Sequence, residues 1–129
     1  MQTIVLATQK GGAGKSTLAI SLALAAIRAG HNVRLIETDT QGTVSNWRRR
    51  RPHAAPVVEP IYDARQVERR LQSLEREGVT VTIVDTAGGI TAATVRPVLD
   101  AGADAAAVIS AVLSGPADIE ENVRNLLKL

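Results

Sequence analysis

Gln9-Lys10-Gly11-Gly12-Ala13-Gly14-Lys15-Ser16-Thr17 lies between an apolar run, Ile4-Val5-Leu6, and a second one, Leu18 to Ile27. The first reads as a buried strand and the second as a core helix, so the glycine-rich segment is the turn between them. Glycines at 11, 12 and 14 let successive backbone N–H groups turn inward, which makes a concave nest for phosphate oxygens. Lys15 adds a point charge for terminal phosphates and Ser16 a hydroxyl for Mg²⁺. The helix that begins there aims its positive end at the same anion. A glycine-rich turn with no ligand is the bland alternative, but it leaves the Gly-Lys-Ser order at a strand-to-helix junction without a reason.

Two further segments end in a carboxylate. Val33-Arg34-Leu35-Ile36-Glu37-Thr38-Asp39-Thr40-Gln41-Gly42 reads as an apolar strand that delivers Asp39 to the C-terminal edge of a sheet, where open α/β sheets bind ligands. Val79-Thr80-Val81-Thr82-Ile83-Val84-Asp85-Thr86-Ala87-Gly88-Gly89 is rich in β-branched residues, as a strand buried on both faces requires. Asp85 closes it, and Gly88-Gly89 lets the backbone approach a γ-phosphate. An Asp after a strand is ordinary in α/β proteins and proves nothing alone. Three such segments in this order carry the argument.

The departure from the usual phosphate loop is informative. Gln9 stands where a glycine is expected and a lysine follows it, so Lys10-Gly11-Gly12-Ala13-Gly14-Lys15-Ser16 resembles the deviant Walker A loop of the ParA/MinD family of ATPases. That resemblance implies Mg-ATP held by Gly11, Gly12, Ala13, Gly14, Lys15, Ser16 and Thr17, with Mg²⁺ at Ser16 and Asp85. It implies Lys10 reaching across a homodimer to the partner's nucleotide, Lys15 as the local phosphate clamp, and Asp39 orienting the attacking water. Asp39 matches the second Asp of the family's Asp-x-Asp-Pro-Gln segment, while Glu37 replaces the first and Thr40 the proline. The run through Ser45-Asn46-Trp47 is similar to small plasmid-partition members. The resemblance therefore implies slow ATP hydrolysis that controls dimerisation and DNA association in plasmid or chromosome partition, with a centromere-binding adaptor protein as a further partner. A truncated, non-hydrolysing family member and a metabolic P-loop ligase akin to dethiobiotin synthetase are the competing readings. The lack of an Asn-Lys-x-Asp sequence favours ATP over GTP.

Composition fits one domain over residues 1–129. Of these residues 45% are apolar, yet Trp47 and Tyr62 are the aromatics and there is no Phe, so the core is aliphatic. No cysteine is present, which excludes disulfides, thiol catalysis and cysteine-held clusters and suits a reducing cytoplasm. The stretch Leu18 to Ile27 is too short to cross a bilayer, and nothing resembles an export signal. A net charge of +2 makes a weak global case for nucleic acid. Four consecutive arginines, Arg48 to Arg51, make a local one, with a solvated basic turn as the alternative and no aromatic platform expected beside them.

The elements alternate, which calls for a P-loop NTPase three-layer sandwich: a mainly parallel sheet of about five strands with helices on both faces. The resemblance implies the strand order 3-2-4-1-5. A helix from about Ser16 to Gly30 and a strand over 32–38 come first, then a short helix after Gly42, a brief strand near Val57 and Val58, and a helix capped by Asp63 with Val67, Leu71 and Leu74 on one stripe. Beyond Gly89 a helix begun or kinked at Pro97, a strand over 105–109 and a last helix near Asp118 complete the expectation. Family members continue further, so the chain reads as C-terminally shortened.

Overall fold

The computed structural model describes residues 1–7, 14–87 and 102–108. Its elements are β1 (Gln2–Ala7), α1 (Lys15–Arg28), β2 (Val33–Glu37), α2 (Thr43–Arg49), β3 (Val57–Pro60), α3 (Ala64–Arg76), β4 (Val81–Asp85) and β5 (Ala105–Val108). The strands form one sheet in the order β3-β2-β4-β1-β5. Every pairing is parallel, and the register sets Leu6 beside Asp85, Glu37 beside Asp85 and Glu37 beside Pro60. The ends of β1, β2 and β4 therefore lie level at the C-terminal edge.

Alternation along each strand explains the layers. Leu6, Leu35 and Ile83 point to one face, where they pack with Ala19 and Ala23 of α1 and Val44 of α2. Val5, Ile36 and Val84 point to the other, against Leu74 of α3 and Val79. Because successive side chains of a strand face opposite ways, a sheet with apolar residues at both parities must be covered on both sides. The expected α/β sandwich with helices on both faces is what forms. Full burial of each Leu or Ile in these two clusters stabilises by about 1.5–3 kcal/mol. Alanines at 19 and 23 recur at i and i+4, so α1 lays a stripe of small side chains on the sheet.

Local signals set the ends. Asp63 caps α3, its Oδ1 accepting from the backbone N–H groups of Arg65 (2.8 Å) and Gln66 (3.2 Å). Val67 and Leu71 pack with buried Leu74 as the stripe predicted. On its polar side Arg70 grips Glu59 of β3 through two hydrogen bonds, 2.6 and 2.8 Å, and also holds Glu77. That clamp fastens the outer strand to the helix.

One expectation changes. Arg48 to Arg51 were read as a basic turn, but Arg48 and Arg49 form the last turn of α2 and Arg50 is its C-cap. Basic side chains suit a helix C-terminus, where the dipole end is negative. The Pro97 helix, the last helix near Asp118, Ile109 and the segment Gln9 to Ala13 lie outside the described residues.

Candidate functional site

Three residues from two elements meet at the C-terminal edge. Lys15 opens α1 and is 6% exposed, while Asp85 closes β4 and is wholly buried. The Lys15 Nζ lies 3.5 Å from Asp85 Oδ1, and the Ser16 hydroxyl donates to Asp85 Oδ2 at 2.6 Å. Among the described residues, Oδ1 has no hydrogen-bond partner despite its burial. A buried carboxylate oxygen without a donor costs about 1–3 kcal/mol or more, and the Lys15 ammonium at 3.5 Å offsets part of that.

The start of α1 completes that electrostatic picture. Gly14 is the N-cap at φ 75°, a left-handed conformation natural to glycine; no side chain caps the helix and its first turn carries no acidic residue. Its leading N–H groups thus keep their capacity for an anion beside the Lys15 ammonium. Thr17, also expected to bind phosphate, is exposed on the first turn, and its carbonyl accepts from the Ser21 hydroxyl.

The donor set fits Mg²⁺. Ser16 and Asp85 offer hard oxygens, and Mg²⁺ commonly takes one or two protein oxygens and completes its octahedron with phosphate and water. Among the described residues no group of three or more His, Cys, Asp or Glu gathers to form an all-protein cage. The site therefore suits a metal that arrives with a phosphate ligand.

Asp39 stands in the loop after β2. Its Oδ1 accepts from the Gln41 N–H at 2.9 Å, and the Gly42 N–H returns to the Asp39 carbonyl at 3.1 Å, which closes a tight turn. One residue earlier, the Thr38 N–H and hydroxyl both reach the Asp85 carbonyl, at 2.9 and 3.3 Å. Asp39 thus follows directly on the residue tied to the end of β4, with one oxygen engaged in its own turn.

Glu37 does something the sequence did not announce. The resemblance set it in the place of the first Asp of the Asp-x-Asp-Pro-Gln segment, and its wholly buried carboxylate turns to α2. Oε1 accepts from Val44 N–H at 2.6 Å; Oε2 accepts from Ser45 N–H at 3.2 Å and from the Ser45 hydroxyl. The N-cap of α2, Gly42 at φ 67°, has no side chain to do this. A remote carboxylate therefore caps the helix and closes the loop that carries Asp39. The available signal was the helix start at Thr43 behind a glycine, with no cap of its own.

The arginine run divides its labour. Arg48 donates from Nε to the Pro56 carbonyl at 3.0 Å and from Nη2 to the Ala54 carbonyl at 2.7 Å, so it fastens the loop before β3. Arg51 lies over the Trp47 ring, 4.7 Å from its centroid, a cation–π contact. Sequence reasoning missed this aromatic neighbour although Trp47 directly precedes the run. Arg49 and Arg50 are exposed, and Arg49 donates to the Asn46 amide oxygen.

Residues 4–127 match the CobQ/CobB/MinD/ParA nucleotide-binding domain family. The chain belongs to that family. Among solved structures, a nucleotide-binding protein from Archaeoglobus fulgidus in complex with ADP aligns over 98% of this chain and 61% of its own, at TM-score 0.57 and 17% identity. The signal recognition particle 54 kDa protein from Aeropyrum pernix, in complex with GDP, aligns over 95% of this chain and 27% of its own, at TM-score 0.52 and 26% identity. These likenesses agree with the P-loop fold of a CobQ/CobB/MinD/ParA domain. Two curated thiamine-phosphate synthases, from Geobacillus thermodenitrificans and Geobacillus kaustophilus, are 42% and 43% identical over 67 residues. That match covers 46% of this chain and 30% of each of theirs, so the chain spans under a third of those relatives. No helix among the described residues is long and apolar enough to cross a membrane.

Proposed function

We propose that this domain is a ParA/MinD-type ATPase whose Mg-ATP binding and slow hydrolysis control dimerisation and DNA association during plasmid or chromosome partition. The observation that carries the nucleotide part is the convergence of Lys15, Ser16 and Asp85 on the uncapped start of α1. In this reading the Lys15 ammonium leaves Asp85 for the terminal phosphates, and the α1 N–H groups take a phosphate oxygen. Mg²⁺, when bound with the nucleotide through Ser16 and Asp85, supplies charge neutralisation at the phosphates. Asp39 orients a water for in-line attack from the adjacent loop, and Lys10 of a second protomer stabilises the developing charge. Positioning and electrostatics carry such a reaction, with little covalent work for the protein. The partition role and the adaptor partner rest on the deviant Lys10 and on the Gln41-Gly42 and Asn46-Trp47 context.

The test is a calorimetric titration of Mg·ATPγS into the purified chain, with Lys15→Ala and Asp85→Asn beside it. Saturable binding that Lys15→Ala abolishes, and that loses its magnesium dependence in Asp85→Asn, supports the site. Absence of binding at millimolar nucleotide removes it. Nucleotide-dependent dimers that vanish in Lys10→Ala would support the trans lysine.

A further inference from the structure

Beyond Asp39 the C-terminal edge opens into a second concavity. A groove of about 510 Å³ runs between the 40–42 loop, one face of α2 and the end of β3. Gly42, Ser45, Asn46 and Arg49 line it at the i, i+3, i+4, i+7 spacing of a single helix face, and Tyr62 forms part of the opposite wall. Tyr62 is 57% exposed, one of two large hydrophobic side chains so exposed among the described residues. No carboxylate lines the groove. Across 40–62 the chain carries four arginines against one acid, Glu59, and that acid is held by Arg34 and Arg70.

The wall chemistry names the ligand class. The exposed Arg49 guanidinium in the wall, with Arg50 exposed at the adjoining helix end, neutralises phosphate; the amide of Gln41 gives and accepts hydrogen bonds, and an exposed phenol ring gives a base a π-face to stack on. A positively charged, open groove with an aromatic wall is the form that unpaired nucleic acid takes up. Arg48 and Arg51 are already engaged, by the 54–56 carbonyls and by Trp47, so they hold the wall in shape. We infer that this groove binds single-stranded nucleic acid, with Arg49 on its phosphates, Arg50 at the adjoining C-cap of α2 on the strand as it leaves, and Tyr62 stacked on a base. The inference rests on the DNA association of the proposed function and gives it a surface, but it does not depend on ATP chemistry.

The magnitudes separate the two kinds of contact. Each phosphate neutralised on a single strand contributes about 0.7 to the slope of log K against log salt. Loss of two such contacts lowers the slope by about 1.4, which is about 25-fold in affinity at 0.1 M salt when referred to 1 M. Loss of a stacking ring leaves the slope alone and weakens binding by about tenfold.

The experiment is a fluorescence-anisotropy titration of labelled oligothymidine into the full chain over a series of salt concentrations, with and without Mg·ATPγS. Arg49→Ala/Arg50→Ala is compared with Arg65→Ala/Arg69→Ala, which removes the same charge from the exposed face of α3. The expected result is the slope and affinity loss for the first pair only, together with weaker binding at unchanged slope for Tyr62→Ala. Equal losses for both arginine pairs would overturn the groove and leave net charge alone. Absence of binding by the parent chain would overturn it too. A duplex that binds as tightly as oligothymidine, with Tyr62→Ala silent, would overturn the stacked single strand in favour of backbone contact only. Oligothymidine binding that survives when Mg·ATPγS calorimetry finds no site would remove the ATPase reading and leave the groove standing.

Discussion

Glu37→Ala is the perturbation that most directly tests how the loop carrying Asp39 is built. The carboxylate is fully buried and accepts from two backbone N–H groups and one hydroxyl at the start of α2. Removing it leaves the Val44 and Ser45 N–H groups without acceptors, each at about 1–3 kcal/mol. Ser45 is half-buried, so water repays part of this, and the lower half of the range applies: about 3 kcal/mol in all. Domains of this kind are stable by about 5–15 kcal/mol, so the variant stays mostly folded in water. With a urea m-value of about 2 kcal/mol/M, the midpoint falls by about 1.5 M at constant m. Glu37→Gln keeps one good acceptor but points an amide N–H₂ at a donor, and should lose about half as much. A midpoint within about 0.3 M of the parent would refute the capping argument.

Two other perturbations have distinct readouts. Arg48→Ala removes both anchors of the 54–56 loop, so about 1–2 kcal/mol of stability should go and trypsin should cut after Arg49 and Arg50 faster; unchanged cleavage would show that the loop does not need the anchor. The Arg70 guanidinium, through its hydrogen bonds, holds the Glu59 carboxyl below its ordinary value near 4.5. A carboxyl depressed in the folded state stabilises above its unfolded value, and this contribution is lost as pH falls from about 4.5 through the depressed value. Thermal melts from pH 6 to pH 3 should therefore show a decline that Glu59→Gln makes shallower, while Arg70 stays charged throughout.

Much of the fold was legible because the relevant signals are local. The continuous β-branched run ending at Asp85 could hardly be anything but a buried strand, and Asp63 four residues ahead of a periodic apolar stripe is a helix start by its own chemistry. The meeting of Lys15, Ser16 and Asp85 was also readable, since it needs only two parallel strands with their ends level. What stayed hidden depends on where a long side chain goes after its backbone is placed. Glu37 could face the phosphate side or the next helix, and residue spacing does not choose between them; the return of the 38–43 loop does. Arg48 has backbone carbonyls as partners, which no residue pattern encodes. Arg51 follows Trp47 by four residues, the spacing that brings side chains together on a helix, and reading the run as a turn hid the pair.

The two glycine-capped helices show why the placement of Glu37 matters for chemistry. Gly14 and Gly42 both sit in the left-handed region and neither can cap its helix with a side chain. Each helix start therefore carries orphan N–H groups and half a positive charge. At α2 the protein answers with a carboxylate of its own, Glu37, and that end is closed to any other anion. At α1 no acid stands in the first turn, and the nearby carboxylate, Asp85, is turned to Lys15 and Ser16. An anion is thus drawn to one of the two ends and refused by the other. Because Glu37 spends both oxygens on α2, the carboxylate that meets Ser16 is that of Asp85. A glutamate at position 37 is one methylene longer than the Asp of the segment it resembles, and that reach lets it lock the helix from the neighbouring strand end.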